Sequence, residues 1–144
     1  MDPGPGMPHA LKGRPVADFK RAALDGQTID TKALRGKTVV LKFFADYCVP
    51  CKRTLPEAER VHRDNPDVVF LGVSEDESPD AALALARRYG LTFPIVFDQG
   101  NVLAGRFRAS ELPVLFVVSR AGEITWVGGP DETEAQLVGA VRAR

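Results

Sequence analysis

The sequence predicts an α/β fold, a central β-sheet flanked by helices, and three observations carry that prediction. Short apolar, β-branched runs at residues 39–44, 68–73 and 113–118 have strand length and alternate with longer amphipathic stretches of helical period. The run at 39–44 is apolar on both alternating sets of positions except for Lys42, as in a strand buried on both faces. With 144 residues, 44% of them hydrophobic, the chain has enough apolar surface for a single packed core.

In chain order, residues 1–12 are rich in Pro and Gly and read as a flexible leader, and residues 13–144 as the folded domain. Asp25-Gly26 sits between two short extended pieces and predicts an N-terminal hairpin. Thr31 is placed to cap a short helical turn through Leu34, and Gly36-Lys37 leads into the central strand. A helix is expected from Cys51 to about Arg63, kinked at Pro56. Leu55, Ala58 and Val61 face the sheet, while Lys52, Arg53, Glu57, Glu59 and Arg60 face outward. His62 is expected at the surface.

The strand at 68–73 closes in a polar turn, Ser74-Glu75-Asp76-Glu77-Ser78-Pro79, which lacks the glycine and ligand spacing of a calcium loop and reads as solvated. Ser78 is the N-cap and Pro79 the first residue of a helix stopped by Gly90. A further strand at 93–98 and a short helix at 102–107 form a βα piece before the strand that Pro113 opens. Ala121-Gly122-Glu123 turns into the strand 124–127. Gly128-Gly129 then allows a close backbone approach to the active site. Asp131-x-x-Glu134 reads as the cap of a terminal helix that packs Ala135, Val138 and Val141 on the sheet. No repeat or second domain is apparent.

The chemistry concentrates where the central strand ends. Cys48 and Cys51 are the only cysteines, and the turn after residue 44 delivers Cys48 to a helix start. Unpaired backbone N–H groups and the positive end of the helix dipole favour thiolate there, which makes Cys48 the expected nucleophile. Cys51 lies on the same helical face and is the expected resolving thiol. So small a loop constrains little of the unfolded chain, so the pair reads as redox-active, not structural. A zinc site would need four ligands, and the only histidines are His9 and His62, so no metal is expected. Nineteen basic and nineteen acidic residues cancel, giving no field for nucleic acid or an anionic membrane. No apolar run has membrane-spanning length, and no apolar signal-peptide core stands at the N-terminus.

Tyr47-Cys48-Val49-Pro50-Cys51 at a strand-to-helix junction, Pro56 five residues beyond, and Leu112-Pro113 opening a later strand resemble the thioredoxin superfamily. The entry segment Gly13-Arg14-Pro15-Val16-Ala17-Asp18-Phe19, the order Asp-Gly, Leu-x-Gly-Lys, strand, CxxC, and the extra βα piece resemble its TlpA/ResA-like, AhpC/TSA-related thiol-disulfide oxidoreductases. That resemblance implies a thioredoxin-like fold with a mixed sheet and a cis Leu112-Pro113 bond against Cys48. It implies substrate-binding or supporting roles for Tyr47, Val49, Pro50, Leu112, Pro113 and Gly128. It also implies a monomer with no cofactor beyond the Cys48-Cys51 disulfide. Its partners would be protein disulfide or dithiol substrates and an electron-donor redox protein, in the bacterial periplasm or envelope; the cytoplasm is the alternative.

Two positions depart from the pattern. Lys42 stands where thioredoxins place a buried Asp, and Thr54 where ResA-like proteins often carry Glu. Lys42 is a candidate for tuning the cysteine pKa if its ammonium points to the thiols. Alternatively it buries its stem and takes its amine to water or to a carboxylate such as Asp46. The leading expectation is exchange of disulfides with protein substrates, as a reductase. A thiol peroxidase is a second reading, although residues 44–48 do not match the Pro-x-x-x-Thr-x-x-Cys pattern of peroxiredoxins. A copper-binding or metallochaperone module is a third, since two thiolates can hold Cu(I).

Overall fold

The computed structural model describes residues 2–143. Its elements are β1 (Lys20–Ala22), β2 (Thr28–Asp30), β3 (Val39–Phe44), α1 (Cys51–Asp64), β4 (Val69–Ser74), α2 (Pro79–Tyr89), β5 (Ile95–Phe97), α3 (Val102–Arg106), β6 (Val114–Val118), β7 (Ile124–Gly128) and α4 (Glu134–Arg142). Strands β1 and β2 form the antiparallel hairpin, and the other five make one sheet in the order β5-β4-β3-β6-β7. β3 lies at its centre, parallel to β4 and antiparallel to β6, so the sheet is mixed.

Every residue of β3 is buried, and the strand period of two divides them between two cores. Val40 and Phe44 join Leu55, Ala58 and Val61 of α1 and Leu137, Ala140 and Val141 of α4. Leu41 and Phe43 join Phe19, Leu103, Phe107 and Phe116 on the opposite face. This two-sided burial anchors the end of β3 and hence the turn that carries Cys48. Gly72 has the same cause: a Cβ there would stand 2.9 Å from the Phe44 ring and 3.1 Å from that of Phe93.

Ser78 caps α2 through the Ala81 N–H, and Gly90 ends it at φ 62° in the left-handed region. Other local expectations need correction. Asp30, not Thr31, caps the turn at 31–34, because the Thr31 hydroxyl is buried and engaged with Asp18 and the Phe19 backbone. α4 begins two residues later than Asp131 would set it: Thr133 and Gln136 form the reciprocal capping box. Glu59 is buried, accepting from the Thr92 N–H and hydroxyl and from Arg63 at 2.8, 2.7 and 2.6 Å. His62 is half-buried between the Phe70 and Phe93 rings, and burial lowers its pKa.

Of residues 1–12, read from composition as a flexible leader, the described residues 2–12 lie along β7. The Met7 N–H donates to the Val127 carbonyl at 2.7 Å, and the Trp126 indole donates to the Gly4 carbonyl. His9 meets the Phe116 ring edge-on.

Candidate active site

Cys48 and Cys51 form a disulfide at the N-terminus of α1, with Cα atoms 5.3 Å apart. The Cys51 N–H is shared between Cys48 Sγ and the Cys48 carbonyl, each at 3.2 Å, at the helix start where backbone donors lack intrahelical acceptors. The same donor would stabilise a Cys48 thiolate. Cys48 lines an open cleft of about 840 Å³, whereas Cys51 is not among its lining residues and is 1% exposed. Both cysteines are buried, Cys48 being 6% exposed, and of the two only Cys48 borders the cleft.

Tyr47, Val49 and Pro50 form one rim of the cleft, and Tyr47 and Val49 are 66% and 71% exposed. Two large side chains thus stand mostly in water beside Cys48. Opposite them stand Asn101, Ala104, Arg108 and Leu112. Leu112-Pro113 is a cis bond, and Leu112 packs on the core cluster that contains both cysteines. Among the described residues, neither the N–H nor the C=O of Leu112 has a backbone partner. Asn101 and Arg108, on either side of α3, both take positive φ, 57° and 51°.

The turn before Cys48 is held from β4. Asp76 Oδ1 accepts from the Asp46 N–H at 2.6 Å while its Oδ2 accepts from the Ser74 hydroxyl at 2.7 Å. Glu75 and Asp76 are 8% and 4% exposed, so the acidic run is not the solvated turn expected from its composition. Burial raises the Asp76 pKa. Glu75 lines the cleft beside Cys48 with both carboxyl oxygens buried, and its side chain meets the Asp98 carboxyl, with which it shares a hydrogen bond when one of the two is protonated. Burial first, then Asp98 and Asp76, push its pKa up to about 9. Tyr47 is raised as well, by burial and then by Glu75 and the neighbouring carboxylates.

Lys42 is 1% exposed and donates from Nζ to Glu132 Oε1 at 2.7 Å. Its amine reaches neither water nor Asp46. Burial lowers the Lys42 pKa against the opposing pull of Glu132. Gly128 does not border the Cys48 cleft: a Cβ there would collide with Glu132 Oε2 and would come within 2.7 Å of the Trp126 ring. The close approach expected of Gly128 is thus made to the carboxylate that pairs with Lys42. Arg53 fixes this corner by donating to the carbonyls of Glu132 and Pro130 at 2.8 and 2.7 Å. Thr54 is buried with its hydroxyl unpartnered.

Sequence reasoning missed Glu75, Glu132, Asp98 and Arg108. Glu75 was within reach, because it follows a parallel strand at its carboxyl end, where open α/β sheets place their sites. Among the described residues no group of three or more His, Cys, Asp and Glu side chains is arranged to hold a metal ion.

The sequence profile of the AhpC/TSA family matches residues 12–127. The thiol-disulfide oxidoreductase ResA of Halalkalibacterium halodurans is 32% identical over 130 residues, covering 89% of this chain and 74% of that protein. A secreted Mycobacterium tuberculosis disulfide oxidoreductase homologous to E. coli DsbE superposes with a TM-score of 0.80 at 27% identity, covering 88% of this chain and 96% of that one. StoA from Bacillus subtilis shares the fold, with a TM-score of 0.76 at 24% identity and coverage of 88% and 97%.

Proposed function

The chain belongs to the AhpC/TSA family and is a thiol-disulfide oxidoreductase with a thioredoxin-like fold, and from that premise we propose that it works as a reductase of protein disulfides, with Cys48 as nucleophile and Cys51 as resolving thiol. The observation that carries the assignment of roles is the unequal access of the two sulfurs: Cys48 borders the cleft and Cys51 does not. The Cys48 thiolate attacks a substrate disulfide and forms a mixed disulfide. Cys51 then attacks Cys48 Sγ, the reduced substrate leaves, and the Cys48-Cys51 bond re-forms. An electron-donor dithiol must reopen that bond before the next turnover.

The reductive direction rests on electrostatics. A strongly oxidising site stabilises its reduced form, chiefly as thiolate. Here Lys42, the candidate cation from β3, is committed to Glu132, and the acidic side chains of Asp46, Asp76 and Glu77 cluster around the turn. The Cys48 thiolate is left with the Cys51 N–H and the start of α1, opposite the single guanidinium of Arg108 in the cleft wall. That balance supports a reducing disulfide.

Tyr47, Val49, Pro50, Leu112 and Pro113 are proposed to hold the substrate. The unpaired Leu112 backbone supports strand-like pairing with an extended segment around the substrate cysteine, and Tyr47 and Val49 provide apolar contact. Substrates of this kind suit an extracytoplasmic compartment, as for the secreted M. tuberculosis relative. No helix among the described residues is long and apolar enough to cross a membrane.

Trapping tests the roles. Cys51→Ser, incubated with a disulfide-bonded protein such as insulin, is expected to accumulate a mixed disulfide at Cys48, identified by mass spectrometry. Cys48→Ser is expected to accumulate none. Adducts formed mainly through Cys51 would reverse the assignment.

A further inference from the structure

Arg108 stands in the wall of the Cys48 cleft, in a backbone conformation that arginine rarely takes. α3 ends in a Schellman arrangement, in which the Ala109 N–H donates to the Ala104 carbonyl at 2.8 Å and the Arg108 N–H to the Gly105 carbonyl at 3.2 Å. Arg108 thereby fills, at φ 51°, the left-handed position that such an ending ordinarily gives to glycine. A Cβ makes that conformation costly, and burial offsets none of the cost, because Arg108 is exposed. An arginine kept at a glycine position, in water and in the wall of a reactive cleft, serves through its side chain.

Two further observations point the same way. Among the described residues the Arg108 guanidinium pairs with no carboxylate, whereas Arg35, Arg53, Arg60 and Arg63 each pair with one. The Arg108 carbonyl, in turn, is held from the far end of the chain. His9 Nδ1 accepts from the Leu11 N–H at 3.1 Å, so the proton of the neutral ring sits on Nε2, which donates to the Arg108 carbonyl at 3.2 Å. The same ring is braced edge-on against Phe116. The backbone that carries the free cation is thus fixed at the cleft.

We propose that Arg108 is a specificity-determining residue of the exchange, favouring disulfides that carry a carboxylate beside the cysteine that Cys48 attacks. This role rests on the exchange reading given above. Among the residues lining the cleft, Arg108 and Glu75 are the only ones of basic or acidic type, and Glu75 is held as the neutral acid, its pKa pushed up to about 9 by burial and then by Asp98 and Asp76. The charge that meets a substrate there is therefore positive. Asp76, Glu77 and Asp98 line the adjoining hollow, which shares Tyr47, Glu75 and Asn101 with the cleft, and a substrate carboxylate is disfavoured on that side. Leu112, whose free backbone suits an extended segment, belongs to the same wall as Arg108. A segment paired with Leu112 runs along the side of the cleft that the guanidinium occupies.

Matched disulfides separate this role from a structural one. The pre-reduced protein is reacted with the symmetric disulfides of two blocked tripeptides, Glu-Cys-Glu and Gln-Cys-Gln. Each rate is divided by that of the same disulfide with 2-mercaptoethanol, which removes the difference in leaving-thiol acidity. The wild type is expected to favour the Glu peptide by about threefold to fivefold at low salt, the scale of one exposed charge pair, and to lose most of that preference in 0.5 M salt, where the Debye length falls to about 4 Å. Arg108→Gln is expected to bring the ratio to about one, and Arg108→Lys to keep most of the preference. A change in folding or in the Cys48 thiolate fraction cancels in the ratio, since both peptides meet the same protein. A wild-type ratio of one or less, or a preference that survives in Arg108→Gln, would overturn the role of Arg108. If the reduced protein reacts with neither disulfide, the exchange reading itself fails, and this role with it.

Discussion

Glu59 and Lys42 show how a charged side chain is kept dry in this protein, each by a different route. Burial alone would raise the Glu59 pKa, but the Thr92 backbone and hydroxyl and the Arg63 guanidinium outweigh it and hold the carboxylate below its ordinary value of 4.5. A depressed carboxylate contributes stability above its unfolded pKa and loses it as pH falls through its folded pKa. Glu59→Gln is therefore expected to cost about 1–3 kcal/mol in urea unfolding at pH 7. That deficit should shrink below pH 4.5. An equal deficit at both ends would refute the charge-based account. Residues such as Cys48 and Cys51 were legible because a separation of three positions across a helix start is enough to bring them together. The Lys42 partner was not, since Glu132 lies 90 positions away and only tertiary packing brings it under α1.

At the scale of elements, the loop after β7 is set by the ion pair and the Arg53 clasp, which fix Glu132 just ahead of the α4 cap. Both Asp131 and Thr133 have side chains able to cap, with a Glu or Gln three residues on, so local pattern could not choose between them. With Glu132 drawn inward, Thr133 is the residue left to open the helix. Gly128 leaves the space for that arrangement. Gly128→Ala is expected to push Glu132 away from Lys42 and to destabilise by up to about 3–5 kcal/mol, the scale of a broken buried pair. Lys42→Met should cost a similar amount, and Lys42→Met with Glu132→Leu should cost clearly less than either. Additive losses in that double mutant would show that the two side chains are not coupled. The acidic turn after β4 was misread for a comparable reason: its polarity suggested water, whereas it turns inward to hold Asp46 and to face the cleft.

For the molecule as a whole, the order of strands and helices followed from apolar runs, the caps of α2 and the proline before β6, because those signals are local and agree with one another. Less legible was how the ends of the chain meet. Composition marks residues 1–12 as a leader, yet the described residues 2–12 run beside β7 and give the Trp126 indole its acceptor, a contact spanning 122 positions. The cleft is likewise a product of topology: the turn after β3, the end of β4 and α3 converge on it from separate parts of the sequence. What unites these parts is the central claim that Cys48 and Cys51 form a reducing dithiol, modestly activated by the start of α1 and set among carboxylates. The equilibrium reduction potential of the pair in dithiothreitol and glutathione buffers, read by thiol trapping, tests that claim most directly. The account predicts a value on the thioredoxin side, near about −270 mV. A value near the roughly −120 mV of DsbA, or no intramolecular disulfide at all, would contradict it.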